Sequence, residues 1–167
     1  MKKTGLLLLL IILCLSCMQA QTEKFKALYI YNFTKLIKFP ESADKPDFVI
    51  GVMGETPVSG ELNAIASTRK IDNRNMVVKK VSKPEDCNDC QIVFISEFKS
   101  GSIKALSDYF DGKPVLLISE SAQGLENGAA INFLLVDQKL KFELNRAKFD
   151  KNNLKVSNQL FELATSK

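Results

Sequence analysis

The chain has 167 residues, of which 46% are hydrophobic and 25% are charged, and it carries a net charge of +4 at pH 7. This composition is typical of one ordinary globular domain and excludes a disordered or collagen-like chain. Histidine is absent, which excludes a histidine-based catalytic triad, a histidine general base and a histidine metal ligand. Because no basic run is longer than two residues, a nucleic-acid partner is not expected. The composition points to a domain that acts by binding or regulation.

The first twenty residues have the pattern of an export signal. Two lysines after the initial methionine precede an apolar stretch from Leu6 to Leu15, and small or polar residues follow as far as Ala20. This pattern is typical of a secretory signal peptide, and the apolar stretch is shorter than the roughly 20 residues that a membrane span needs. We therefore expect residues 1–20 to be a signal peptide and residues 21–167 to form a single exported domain.

Two processing events compete at the end of this segment. Cleavage after Ala20 gives a soluble protein that begins at Gln21, with a net charge lowered from +4 to +2 by the loss of the two lysines. Alternatively, Cys17 becomes a lipidated N-terminus, because the residues before it partly resemble a lipobox. Cleavage after Ala20 is favoured, since a lipobox has leucine at the position that Cys14 occupies here. A nearly neutral product argues against electrostatic capture of an acidic partner.

Helices and strands alternate along the first part of the mature chain. Residues 23–39 are predicted to form a helix that Thr22 caps and Pro40 ends. Its inward face is expected to hold Phe25, Tyr29, Phe33, Leu36 and Ile37. A buried strand over Asp47–Met53 follows, and a second helix starts at Pro57, with Leu62, Ile65 and Ala66 facing inward.

The same alternation continues and then changes near the C-terminus. Further predicted elements are a strand at Met76–Val81, a short capped turn at Ser82–Glu85, a strand at Gln91–Ile95, a helix through Ile103, Leu106 and Phe110, and a strand at Val115–Ile118. Ala129–Val136 and Leu140–Leu144 are separated by a short polar connection, which predicts a hairpin. Asn145–Leu160 is polar and loose, and residues 157–165 form a closing helix. The order indicates an α/β fold: a mostly parallel sheet with helices on both faces and a C-terminal antiparallel hairpin.

The sequence Cys87-Asn88-Asp89-Cys90 brings two cysteines together in an exported protein. A structural disulfide is the favoured interpretation, although closing so short a loop contributes only about 2 kcal/mol. A redox-active pair is the alternative, but such pairs usually follow a strand at the start of a helix, whereas this one precedes a strand. Unpaired thiols remain a third interpretation. No zinc site is predicted, because two thiolates without an imidazole leave a tetrahedral site half empty.

Three predicted buried strands are each followed by a small residue and a glutamate: Gly54-Glu55, Ser96-Glu97 and Ser119-Glu120. The carboxyl ends of parallel strands open onto a crevice where ligands bind. Glu55, Ser96 and Ser119 are therefore candidates for a crevice that takes a small polar or cationic ligand, and the alternative is that they are solvated loop residues. A nucleotide site is not expected, because no glycine-rich fingerprint follows the first strand.

The predicted first helix carries a second, amphipathic face opposite its core stripe. Tyr31 lies there between lysines, and tyrosine is enriched at interfaces because it combines an apolar ring with a polar tip. Leu28, Tyr31 and Lys35 are therefore candidates for a subunit or partner interface; an isolated surface aromatic is the alternative. Nothing in the spacing of the carboxylates singles out a catalytic pair. We predict no catalytic residue, no cofactor and no enzymatic activity.

Several segments in order resemble one family. They are Lys26–Pro40, Phe48–Gly54, Cys90–Ser96, Ala130–Phe133 with Leu140–Asn145, and Leu154–Leu160. Their order and spacing resemble the YfiR/HmsC-like family of periplasmic proteins and cover nearly all of the mature chain. The resemblance implies a non-enzymatic periplasmic regulator that forms a homodimer. Its implied partner is the periplasmic sensing domain of a membrane diguanylate cyclase, which it represses to restrain cyclic-di-GMP signalling and biofilm formation.

The resemblance also assigns individual residues and leaves alternatives open. Of the two mature cysteines, Cys90 matches a family position and Cys87 is an addition. The matches at Tyr31, Asn32, Asn132 and Asn145 imply structural or interface roles, and a buried amide must be hydrogen-bonded or it costs about 1–3 kcal/mol. A sensor kinase is an alternative partner in place of the cyclase. A periplasmic protein that binds a small ligand in the strand-end crevice is the alternative function.

Overall fold

The computed structural model describes residues 21–40 and 46–165. The expected signal peptide at residues 1–20, with the lipidation candidate Cys17, lies outside these residues. Within the described ranges, no helix is both long enough and apolar enough to cross a membrane.

The described chain alternates short helices and strands. Helix α1 occupies residues 21–36 and continues directly into strand β1 (Ile37–Lys38). The next elements are β2 (Asp47–Met53), α2 (Val58–Ala66), β3 (Lys70–Ile71), β4 (Arg74–Val81), a 3₁₀ turn at Pro84–Cys87, β5 (Ile92–Ile95) and a 3₁₀ segment at Glu97–Ser102. The last are α3 (Ile103–Tyr109), β6 (Leu116–Ser119), β7 (Ile131–Val136), β8 (Lys139–Leu144), α4 (Arg146–Lys151), β9 (Lys155–Val156) and α5 (Asn158–Leu163).

Seven strands form one sheet, in the order β3-β4-β2-β5-β6-β7-β8. The strands from β4 to β7 are parallel to their neighbours, whereas β3 and β8 pair antiparallel at the two edges. A separate two-stranded sheet joins β1 to β9. The predicted fold class is confirmed: the sheet is mostly parallel and ends in an antiparallel hairpin.

Successive side chains of β2 enter two different cores, one on each face of the sheet. Phe48 belongs to the core that α1 and α2 cover, through Ile30 and Leu62 among others, and Met53 belongs to the core that α3 covers, through Leu106. All five of these side chains are at most 1% exposed. A parallel strand buried on both faces is expected to be apolar without interruption, which explains why this strand was predicted with its bounds correct.

The C-terminal hairpin turns in two residues. Val136 pairs with Lys139, and the loop residues Asp137 and Gln138 have φ angles of +49° and +61°. Positive φ at both central positions is the geometry of a type I′ turn, whose twist matches that of the flanking strands. The hairpin is therefore confirmed, with Lys139 belonging to the strand rather than to the connection.

The buried face of helix α1 overlaps the predicted one but is rotated away from Phe25 and toward Tyr31. Phe25, expected in the core, is 46% exposed, whereas Tyr31, expected at the surface, is 7% exposed. Phe33 and Ile37 are buried as predicted, and the buried surface also takes in Ala27, Ile30, Tyr31 and Thr34, at the spacing of one helical face. The prediction was wrong for Phe25 and Tyr31 because it followed the bulky side chains and gave no weight to the small Ala27 and Thr34.

The segment predicted as loose, Asn145–Leu160, is mostly ordered into α4 and β9. Asn145 has an extended backbone, and its side-chain oxygen accepts a hydrogen bond from the backbone N–H of Lys148 at 3.4 Å. Its own backbone N–H donates to the carbonyl oxygen of Ala130 at 2.9 Å. Asn145 therefore ends β8 and caps α4, as expected for asparagine at a helix N-cap.

We expect the substitution Asn145→Ala to lower the free energy of unfolding by about 1 kcal/mol, because the first turn of α4 loses its side-chain acceptor. Urea denaturation of the parent and variant measures the difference. Asn145→Asp keeps an acceptor at the same position and is the matched control, with a stability close to that of the parent. An alanine variant as stable as the parent would show that the cap contributes nothing.

Candidate functional site

The strand order reverses between β2 and β5, because the chain builds β4 on one side of β2 and then returns to the other side. Ligands of parallel α/β sheets bind at the carboxyl ends of the strands beside such a switch point. A cavity of about 620 Å³ lies there. We call it the carboxyl-edge cavity; its walls include Glu23, Lys26, Glu55, Pro57, Glu97, Phe98, Glu120 and Leu135.

The three predicted crevice residues have different positions relative to this cavity. Glu55 lines it, whereas Ser96 and Ser119 are buried and do not belong to its wall. The Ser96 hydroxyl is buried without a hydrogen-bond partner among the described residues, and it lies against Gly54. A Cβ atom at Gly54, which has a φ of +94°, would come within 2.1 Å of that hydroxyl oxygen, so a side chain does not fit there.

Three charged side chains form a cluster on the cavity wall. The ammonium of Lys26 lies 2.8 Å from Oε1 of Glu23 and 2.5 Å from Oε2 of Glu120, and each of the three side chains is only 12–14% exposed. Glu120 also accepts the backbone N–H of Glu97 at 3.3 Å. Two carboxylates share one ammonium group, so the cluster carries a net charge of −1.

Burial lowers the pKa of Lys26, but hydrogen bonds to Glu120 and Glu23 outweigh it, and the pKa lies above its ordinary value. The lysine therefore stays charged through the physiological range. Its donors point at carboxylates that belong to α1 and to the segment after β6. The cluster thus fixes the first turns of α1 over the ends of the strands.

Large apolar side chains that are exposed also line the cavity, and we call them its apolar wall. Phe98, in the 3₁₀ segment after β5, is 89% exposed, and Leu135, in β7, is 62% exposed. Pro57 lies on the same wall. Lys26, Phe98 and Leu135 were not predicted as site residues. No local sequence pattern shows that α1 lies over the strand ends, and that position brings these distant segments together.

The two cysteines are buried side by side next to β5. Cys87 ends the 3₁₀ turn and is fully buried, and Cys90 is 3% exposed. Their sulfurs are not bonded to each other in the structure. A hydrogen bond between the thiols lowers the pKa of Cys87 and raises that of Cys90, and nearby Lys79, which pairs with Asp89, also lowers the pKa of Cys87.

We expect the protein isolated from an oxidising compartment to contain a disulfide between Cys87 and Cys90, because the thiols contact each other in a dry site. The intact mass before reduction is then lower by two hydrogen atoms than after it. Reduction is expected to lower the free energy of unfolding by at most about 2 kcal/mol, since the loop is short. A Cys90→Ser variant, whose monomer mass reduction does not change, is the control. Complete thiol labelling of the unreduced, unfolded parent would exclude the pairing.

Asn132 connects three segments beside the strand ends. Its Oδ1 accepts the Ser119 hydroxyl at 2.6 Å and the backbone N–H of Ser121 at 3.2 Å, and its Nδ2 donates to Glu143 at 3.2 Å. Asn132 is 3% exposed and Ser119 is fully buried. The amide therefore joins β6, the segment after it and the hairpin, as a structural brace.

The interface candidates of the first helix are not all at the surface. Leu28 is half-buried and Lys35 is exposed, but Tyr31 is buried, and its hydroxyl donates to the carbonyl oxygen of Lys70 at 3.4 Å. The ammonium of Lys35 and the guanidinium of Arg69 lie 4.6 and 5.3 Å from the centre of the Tyr31 ring. These cations cover the ring that was expected to be exposed.

Two further features bear on the chemistry of the site. In residues 21–40 and 46–165, no group of three or more cysteine, aspartate or glutamate side chains is arranged to hold a metal ion. The charged groups that line the cavity are instead spread over several segments, and apolar side chains line it beside them. This arrangement suits recognition of a molecule by contact.

Comparison with protein families matches residues 23–165 to the family described as YfiR/HmsC-like. The match runs from α1 past the end of α5 and confirms the resemblance seen in the sequence. Comparison with curated proteins finds no match. The family is regulatory rather than enzymatic. The chain therefore belongs to the YfiR/HmsC-like family of periplasmic regulators of cyclic-di-GMP signalling.

Proposed function

We propose that this protein binds the periplasmic domain of a membrane signalling protein, of the diguanylate cyclase type, and represses it. The observation that carries this proposal is the family match over residues 23–165, which includes all the described strands. The architecture is compatible with it, since regulation by contact needs a stable domain with a defined surface. A homodimer is part of the proposal.

The exposed cation Lys35 is the candidate contact that remains at the surface of α1. Its ammonium lies over the Tyr31 ring, so the aromatic group positions the charge instead of contacting a partner itself. Leu28 is half-buried on the same helix. In this proposal Leu28 and Lys35 contact the partner or a second copy, and Tyr31 supports them from beneath.

Photo-crosslinking in intact cells tests the proposal. A photoreactive residue replaces Lys35 in one strain and Lys104, an exposed lysine of α3, in a matched strain. We expect the first strain to give a crosslink to a membrane protein that carries a cyclase domain, and deletion of the gene to raise cellular cyclic-di-GMP. Unchanged cyclic-di-GMP after deletion, together with no crosslinked membrane protein, contradicts the proposal.

A second candidate function is the binding of a small ligand, and the carboxyl-edge cavity is the observation that favours it. Thermal-shift measurements with a broad library of small polar and cationic metabolites test it. A ligand at one hundred times its dissociation constant stabilises the fold by about 2.7 kcal/mol. No shift with any compound contradicts this candidate and leaves the proposal of partner binding unaffected.

A further inference from the structure

We propose that the carboxyl-edge cavity binds a small organic cation with an apolar body, of the class of aryl or alkyl amines. The inference rests on the second candidate function and names its ligand class. Three observations carry it: the size and place of the cavity, the negative charge of its acidic lining residues, and the exposed aromatic ring that also lines it.

The cavity has the dimensions and position of a ligand site. Its volume of about 620 Å³ lies within the roughly 300–1,000 Å³ that small-molecule sites occupy. It lies at the switch point between β2 and β5, and its walls come from α1, from the segments that follow β2, β5 and β6, and from β7. Most of the exposed surface of its lining is apolar, and four glutamates and one lysine converge on it. Apolar surface with converging polar groups is the lining that small-molecule sites have.

The charge on the polar wall selects a cation. The Lys26 ammonium is held by Glu23 and Glu120, so it is not free to bind an anion, and the cluster remains net negative. The Glu97 carboxylate is exposed and has no ion-pair partner within residues 21–40 and 46–165. Glu55 pairs with Lys80 at 2.9 Å. Among the glutamates that line the cavity, Glu97 is therefore the one without an ion pair to a residue of 21–40 or 46–165.

The apolar side chains that line the cavity favour a cation that also carries an apolar organic group. Phe98 follows Glu97 directly and is 89% exposed, with Leu135 and Pro57 on the same wall. Because Glu97 and Phe98 both line the cavity, a cation bound to Glu97 is expected to lie near the Phe98 ring, whose face attracts positive charge. An apolar ligand body would cover Leu135 and Phe98, which are otherwise in water. A bare metal ion would leave this wall uncovered.

Binding of three matched probes to the purified exported protein tests the ligand class. Phenethylamine is a cation, phenethyl alcohol is its neutral counterpart and phenylacetate is an anion, with nearly the same apolar body. Titration followed by NMR is expected to give tighter binding of the amine than of the alcohol, by about fivefold or more, and weaker binding still of the anion. Added salt is expected to reduce the preference for the amine.

Two variants and two matched controls locate the binding. Glu97→Gln is expected to weaken amine binding about fivefold and to remove the preference over the alcohol, and Phe98→Ala is expected to weaken binding of both probes. Glu162→Gln and Leu163→Ala, which change an exposed acid and an exposed apolar residue of α5, are expected to have no effect. All four sites are exposed, so the variants are expected to fold, and their melting curves verify this.

The results separate failure of the ligand class from failure of the ligand function. Equal binding of the three probes, no binding of the amine, or an amine affinity unchanged in Glu97→Gln overturns the proposal. If another compound of the library then stabilises the parent and Phe98→Ala abolishes that effect, the cavity binds a ligand of a different class. If no compound binds, the second candidate function fails as well.

Discussion

Replacing Asn132 with alanine is expected to lower the free energy of unfolding by about 3 kcal/mol. The substitution leaves the Ser119 hydroxyl and the Ser121 backbone N–H without their acceptor in a buried site, and each such group costs about 1–3 kcal/mol. Gly124 packs closely against the same amide: a Cβ atom at Gly124 would lie 2.3 Å from Oδ1 of Asn132. The same crowding requires glycine at that position.

Urea denaturation at neutral pH measures the loss, and two variants serve as controls. Glu143→Gln keeps an acceptor for the Asn132 amide and is expected to change stability by less than about 0.5 kcal/mol. In a double-mutant cycle, Ser119→Ala and Asn132→Ala are expected to couple by about 1 kcal/mol, because they remove the same hydrogen bond. A loss below about 1 kcal/mol in Asn132→Ala would mean that the brace contributes no more than an ordinary hydrogen bond.

Replacing Lys26 with methionine is expected to cost about 2–3 kcal/mol. The cost is somewhat below the 3–5 kcal/mol found when one partner of a fully buried ion pair is removed, because the side chains are 12–14% exposed. Methionine keeps the apolar stem and leaves Glu23 and Glu120 facing each other without a cation. The first turns of α1 are then expected to loosen from the strand ends, and hydrogen exchange of α1 is expected to become faster.

Glu23→Gln is the matched control for Lys26→Met. It removes one carboxylate, keeps the contact between Lys26 and Glu120, and leaves the cluster neutral, so its cost is expected to be below about 1 kcal/mol. A Lys26→Met variant as stable as the parent at pH 7 would mean that the cluster does not hold α1.

The pH dependence provides a second measurement of the same cluster. Because the pKa of Lys26 is raised in the folded state, its contribution to stability is fully present below the pKa of the unfolded chain. That contribution is lost as the pH rises through the folded-state pKa. The difference in stability between the parent and Lys26→Met is therefore expected to shrink at high pH, and a constant difference would contradict the assigned cause.

Strand β2 was predicted more accurately than helix α1 because burial on both faces leaves a simple pattern. Asp47–Met53 is apolar nearly throughout and was predicted with its bounds correct. In α1 the buried stripe includes Ala27 and Thr34, whose small size permits close packing but gives little signal in a hydrophobic pattern. The orientation of that helix depends on what it packs against, and this information is not local.

The candidate site was predicted only in part, for a related reason. Glu55 was identified because it follows a buried strand, and the carboxyl ends of parallel strands are a general ligand location. Ser96 and Ser119 follow strands in the same way, but their short side chains stay below the surface. Lys26 and Phe98 belong to segments 72 positions apart in the chain, and only the fold brings them to the same cavity.

The pairing of β1 with β9 has a mechanical consequence for this cavity. Helix α1 provides one wall at its first turns and continues without interruption into β1, which is held by Lys155 and Val156 and by the bond from Ser157 N–H to the Leu36 carbonyl oxygen at 2.9 Å. The helix that provides this wall is thus fixed at its other end to the C-terminal segment. Any tilt of α1 that widens the cavity must distort the pairing of β1 with β9 or move the C-terminal segment as well.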